Sequence, residues 1–315
     1  WSSPTPAPAR TERMHAMPLG DMPAPRDARE RVALDRTTSG GSDVLWVRLS
    51  PDAATGLQNV THALLDEMLA LLDGLTAGGG AEHRPGHVVL QSRHPEHFCV
   101  GGDLRLFESC IARGDAVALH DYSMRCLALM LGWSTALSSR ATSIALVQGR
   151  ALGGGFEMAL GADRIIAEER STFGFPEIVF GLFPCTGAMG LLQQRVGARQ
   201  AERMMTNNRL YRARELHAMG IVDEVCADGE GEAAVARFIA ERASRHAAML
   251  AVQRIRLRAS GLDRDACVRV VDDWVHAAMH LSADERRALR TLVLLQEAQT
   301  PPPSPAPRSG PDPCS

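Results

Sequence analysis

A run of three glycines, Gly153-Gly154-Gly155, stands between an apolar segment and a glutamate, and it constrains the fold of this chain more than any other feature. Upstream, Thr142-Ser143-Ile144-Ala145-Leu146-Val147 reads as a buried strand and is followed by Gln148-Gly149. Downstream, Phe156-Glu157 opens a helix. Lacking Cβ atoms, the glycines let backbone approach a ligand closely. A carboxylate just past them is placed to act on whatever they hold. A second loop, Phe98-Cys99-Val100-Gly101-Gly102-Asp103, has the same setting. It follows the short apolar strand His87-Val88-Val89-Leu90-Gln91 and precedes a helix from Leu104.

Each helix start exposes unpaired N–H groups and partial positive charge. Two such starts brought together supply two backbone donors to one oxygen, which is an oxyanion hole. Such a device suits a carbonyl that becomes an enolate or a tetrahedral adduct. A second glutamate, Glu177 in Phe175-Pro176-Glu177-Ile178, lies 177 − 157 = 20 residues beyond Glu157. Two carboxylates divide acid and base roles when their surroundings push their pKa values apart. Each also has a plainer reading: Glu157 as a helix-start charge against the dipole, Glu177 as an N-terminal cap after proline.

The composition excludes several classes of function. A net charge of −3 lacks the basic footprint of a nucleic-acid binder. All 34 basic residues are arginine, so anions are met by guanidinium and lysine Schiff-base chemistry is absent. The seven cysteines show no CxxC and no metal-type spacing, which predicts a reducing, cytoplasmic compartment and no metal site. No segment approaches the roughly 20 apolar residues of a membrane span, and Trp1–Arg10 has no signal-peptide character.

Residues 1–40 are rich in Pro, Arg, Asp and Ser and read as a disordered tail, as does 300–315. Between them strands and helices alternate. Val44–Leu49 and Arg164–Ala167 read as further strands, Leu57–Leu75 as an amphipathic helix, and Leu104–Leu137 as helical with a break at Gly114. This rhythm predicts an α/β fold with parallel pairing. After Asp228-Gly229 the chain turns helical to Gln299, with Trp274 in an amphipathic stretch.

Four ordered motifs identify a family resemblance. They are Phe98–Leu104, Ala151–Glu157, Pro176-Glu177 and Ala218-Met219-Gly220-Ile221-Val222-Asp223. Residues 41–250 resemble the enoyl-CoA hydratase/isomerase (crotonase) superfamily. The resemblance implies a crotonase-like ββα spiral core (41–250), a helical C-terminal portion (251–299), and a homotrimer or dimer of trimers. It also implies Val100 and Gly154 as the backbone N–H donors of the oxyanion hole and Glu157 and Glu177 as the catalytic pair.

A narrower resemblance runs to about residue 298. Ile144–Gly149, Ile165–Glu169, Phe180-Gly181-Leu182-Phe183-Pro184 and Val271-Asp272-Asp273-Trp274-Val275 resemble the diffusible-signal-factor synthases. That subfamily implies dehydration of a 3-hydroxyacyl-acyl carrier protein to a cis-2-enoyl thioester and hydrolysis to a free cis-2-unsaturated acid. No cofactor is implied beyond the 4'-phosphopantetheine that acyl carrier protein or CoA brings. A membrane sensor kinase is a further implied partner that no residue marks. Met189 and Trp274 would line the acyl chain. Cys185 stands where that pattern has glycine, and a left-handed backbone there would strain a cysteine. The alternatives are an enoyl-CoA hydratase or acyl-CoA hydrolase of the same fold, and a non-catalytic binding member. Arg195, Arg199 and Arg203, at helical spacing, are candidates for meeting an acidic carrier. Asp103 is expected to cap its helix, His94 and His97 to lie at the surface, and Cys99 and Cys185 to be inert.

Overall fold

A computed structural model of the chain describes residues 30–77 and 85–298. Two sheets carry the architecture. The larger has the strand order β1 (Val32–Ser39), β2 (Ser42–Leu49), β3 (His87–Ser92), β5 (Thr142–Val147), β7 (Arg164–Glu168) and β10 (Glu224–Cys226). Only β1 runs antiparallel to its neighbour. The smaller sheet orders β4 (His97–Cys99), β6 (Arg150–Leu152), β8 (Thr172–Gly174) and β9 (Tyr211–Arg212). Strands β3, β5 and β7 lie in the large sheet, and the strand following each lies in the small one. This alternation, with helices between the turns, is the expected spiral.

The large sheet is apolar on both faces, as buried parallel strands must be. Leu45, Val47, Val88, Leu90, Ala145, Val147, Ile165 and Ala167 face the main core. Their alternating neighbours Val44, Trp46, Val89, Ile144, Leu146 and Ile166 pack on Val235, Phe238 and Ile239 of α8 (Gly231–Arg242). The helices between are α1 (His62–Thr76), α2 (Leu104–Arg113), α3 (Ala116–Leu131), α4 (Gly154–Leu160), α5 (Ala188–Val196), α6 (Ala198–Thr206) and α7 (Ala213–Ala218). Gly114 ends α2 in a left-handed conformation, the break the sequence announces, and α3 passes into a π-helical turn, Gly132–Leu137. The C-terminal helices are α9 (His246–Ser260), α10 (Arg264–Met279) and α11 (Ala283–Ala298). Helix α9 runs straight across the division expected at residue 250. Among the described residues, no helix is long and apolar enough to cross a membrane.

Two expectations are corrected. The stretch read as structureless up to residue 40 contains β1, paired with β2 from Val32↔Leu49 to Ser39↔Ser42 through Gly40-Gly41, both at positive φ. Its polar, exposed composition is that of an edge strand and hides the pairing. Residues 1–29 and 299–315 of the two expected tails lie outside the described residues. The helix expected from Leu57 starts instead at His62, where the Thr61 side chain accepts from Leu64 N. Residues 57–60 run extended beside the first glycine loop. There Val60 N donates to Gly101 O (2.9 Å) and Val100 N to Gln58 O (2.8 Å).

Candidate active site

The last of these bonds decides one candidate. The Val100 N–H is committed to Gln58 and does not face the cavity, so the expectation that it serves as an oxyanion donor is corrected. Gly102, two residues on, lines the cavity beside Gly154. A Cβ built on Gly154 would lie 3.7 Å from Gly102 N, so the two loops are in contact there. Gly154 is the first residue of α4, where an N–H has no intrahelical acceptor. Asp103 caps α2, as expected, by accepting from Leu106 N (3.2 Å).

The glycines permit this approach. A Cβ on Gly155 would collide with Cys99 O, and one on Gly153 with the Glu177 carboxylate. Gly153 is also held at φ +54, a conformation costly for other residues. Glu157, on the next turn of α4, is 2% exposed. Its Oε1 accepts from Thr186 N (2.8 Å) and Ala188 N (3.0 Å), at the start of α5. Burial raises its pKa, and the bonds from Thr186 and Ala188 oppose that rise.

Glu177 opens a 3-10 turn, Glu177–Phe180, after Pro176. The residue is half-buried, but its Oε2 is enclosed and has no partner among the described residues. Burial first, and then the charge of Glu157, push its carboxyl up to about 8. Glu177 is therefore pushed to hold a proton near neutrality, while Glu157 has two N–H groups that oppose its own upward shift. This is the separation that acid–base work needs.

A cavity joins these groups. Beyond the two glutamates and two glycines its walls are mostly apolar, with Phe107, Leu129, Met130, Met158 and Trp274 among them and Tyr122, Ser123 and Thr186 as polar members. Trp274 reaches it from α10, buried and edge-on to Phe107 with ring centroids 5.1 Å apart. Met189 does not; it is 40% exposed and lines a neighbouring groove with Leu262 and Val270. That placement corrects its assignment to the acyl pocket. The wall between the two spaces is Phe183-Pro184-Cys185, whose residues line both. Among the described residues, Asn208 is the only non-glycine at positive φ, so Cys185 carries no backbone strain. Burial pushes the thiols of Cys185 and Cys126 up, the latter to about 12, so neither is a thiolate.

A third cavity meets the first at Gly102 and Glu177 and is bounded by His97, Arg150, Pro176, Phe180 and, from α11, Leu292 and Leu295. His97 is buried, not at the surface as expected, and its ring stacks on His94 at 4.4 Å. Burial, then the charges of His94 and Arg150, lower it to about 4, so it stays neutral. The arginine trio does not form one face. Gly197 separates α5 from α6, and Arg195 turns inward to the Leu191 and Ala162 carbonyls. Gly102, Phe107, Tyr122 and Thr186 are site residues that the sequence did not single out. The signal for Gly102 was its place directly before the helix cap Asp103.

A family model described as enoyl-CoA hydratase/isomerase matches residues 57–292. The chain is similar to a mevalonyl-coenzyme A hydratase SIDH of Beauveria bassiana (strain ARSEF 2860), 35% identical over 142 residues, covering 42% of this chain and 48% of the relative. It is similar also to a probable enoyl-CoA hydratase of Rhizobium meliloti (strain 1021), 32% identical over 178 residues, covering 56% and 62%. These matches span about half to three fifths of the length of the relatives. Among solved structures, an enoyl-CoA hydratase from Bacillus halodurans shares the fold, with a TM-score of 0.70 at 20% identity over 83% of this chain and 100% of that one.

Proposed function

The chain belongs to the enoyl-CoA hydratase/isomerase family, and from that membership we propose that it moves water into or out of the α,β bond of an acyl thioester. One observation carries the reading: Glu157, Glu177, Gly102 and Gly154 line a single largely apolar cavity. The thioester oxygen sits between the Gly102 and Gly154 N–H groups, which stabilise negative charge as the Cα proton leaves. In the dehydrating direction the Glu157 carboxylate takes that proton. The Cα–H electron pair passes to the carbonyl as an enolate, then returns to form the double bond as the C3–O bond breaks. Glu177 gives its proton to the departing hydroxyl, which leaves as water. Glu157 is then neutral and Glu177 charged, and exchange through water resets the pair. Hydration is the reverse.

The substrate arrives on a phosphopantetheine arm, the group that CoA and acyl carrier protein share. The finer reading, formation of a free cis-2-unsaturated acid, adds hydrolysis at the same oxyanion hole. It is favoured by Trp274, part of the segment that resembles the signal synthases, forming a wall of this cavity. With both thiols held neutral, that hydrolysis uses water directly, with no acyl-cysteine intermediate.

Mass spectrometry after incubation with 2-dodecenoyl-CoA and with 3-hydroxydodecanoyl-acyl carrier protein tests both levels. A mass change of one water on either thioester supports the first reading, and turnover of neither overturns it. Free cis-2-dodecenoic acid supports the finer one, and a trans product left on its carrier overturns that alone.

A further inference from the structure

The oxyanion loop is held on both sides of Gly102. On one side Gly101 O accepts from Val60 N (2.9 Å). On the other, Asp103 N donates to the hydroxyl of Tyr122 (3.1 Å), and that hydroxyl donates to Val60 O. The same extended residue, Val60, thus anchors both neighbours of Gly102, once directly and once through a phenol. Tyr122 comes from α3, is 2% exposed, and lines the cavity with Gly102. The ring is wedged edge-on against Phe107 at 5.6 Å. Only a group that gives and takes a hydrogen bond at once can join an N–H to a carbonyl. Burial raises the phenol well above its usual pKa, so the proton it gives to Val60 stays in place.

We propose that Tyr122 is the positioning residue of the oxyanion hole. Its hydroxyl occupies the Asp103 N–H and fixes it to Val60, so that the Gly102 N–H alone, with Gly154, is presented to the substrate oxygen. The proposal rests on the reading of the site as an oxyanion hole for a thioester. Without the hydroxyl, Asp103 N and Val60 O lose a buried partner, and the loop is held to Val60 only by the Gly101 O bond and the parallel bridge Val60↔Gly102. A donor displaced by a fraction of an ångström loses strength in the transition state more than in the ground state.

The test is Tyr122→Phe in the full chain, assayed with whichever enoyl-CoA the unmodified protein turns over. The expected result is kcat lower by about ten- to hundredfold with KM within about twofold, the pattern of a loosened oxyanion donor. The absorption of bound cinnamoyl-CoA, which moves to the red when its carbonyl is polarised, should shift less in the variant. Unchanged kcat and an unchanged shift in a folded variant overturn the proposal. A second measurement needs no variant. In amide hydrogen exchange of the unmodified protein followed by NMR, Asp103 N–H should exchange slowly and Gly102 N–H fast. Equal, fast exchange at both overturns the bridge. This holds even if the variant does not fold or no thioester is turned over, an outcome that counts against the oxyanion reading itself.

Discussion

Glu157 rises from a helix and accepts two backbone N–H groups, whereas Glu177 stands on a single short turn with one oxygen enclosed and unpartnered. Both are carboxylates, both line one cavity, and burial raises both. What separates them is the supply of donors. The start of α5 meets Glu157 and offsets part of its desolvation, while among the described residues nothing comparable meets Glu177. Two chemically identical side chains thereby meet different opposition to the same desolvation, and the difference is built from backbone geometry.

The sharpest way to break this comparison is to neutralise each member. Glu157→Gln and Glu177→Gln should each lower kcat by about 10²–10⁴-fold, the span of general acid–base contributions. Steady-state hydration rates on purified, folded variants check it, and a variant that keeps full rate loses its assigned role. Next in size is Gly153→Ala. Its Cβ would run into the Glu177 carboxylate at a backbone conformation that disfavours alanine. The expected loss in kcat is about 10²-fold, since a misplacement of an ångström has that effect.

The pH dependence sharpens the comparison further. In the dehydrating direction, where Glu177 acts as the acid, kcat should fall as pH rises through about 8, and Glu177→Gln should lack that limb. Stability follows the same group. Its folded pKa is raised, so its contribution is fully present below the ordinary carboxylate range and is lost as pH rises toward and through about 8. Thermal melting of the unmodified chain and Glu177→Gln should agree near pH 4 and diverge by pH 8, with the variant the more stable. Parallel curves at the two pH values would remove the basis for the acid assignment.

Smaller effects are expected at the dividing wall. Cys185→Phe should shorten the accepted acyl chain and Cys185→Ala should lengthen it. The change in kcat/KM between an eight- and a twelve-carbon enoyl-CoA should be about tenfold, the scale of one or two methylenes in an apolar pocket. The smallest effect belongs to Met189→Ala. Its side chain lies outside the catalytic cavity, so kcat and KM for a four-carbon enoyl-CoA should stay within about twofold.

Much of this is legible in the sequence. The glycine runs, the two glutamates, the capping role of Asp103 and the buried strands are local statements, decided by neighbours in the chain. The misreadings have a common cause. Val60 has the right spacing for a helix with Leu64 and Met68, yet its bonds go to a loop about forty residues away. Beside it Gln58 O takes up the Val100 N–H, and Gly102 is the residue of that loop that lines the cavity. Strand β1 hides because an edge strand buries little, and Met189 and Trp274 differ only in which side of a helix meets the cavity.

By itself, the chain's order of residues settled which groups are available: two carboxylates, two glycine-lined helix starts, an apolar lining, and no lysine. Periodicity and glycine placement act over a few residues, so a linear reading captures them. The tertiary structure decided which glycine of the first loop lines the cavity, which glutamate is met by backbone donors, and which side chains close the wall. Those outcomes depend on desolvation and on hydrogen-bond partners contributed by distant segments, and neither exists until the chain has folded.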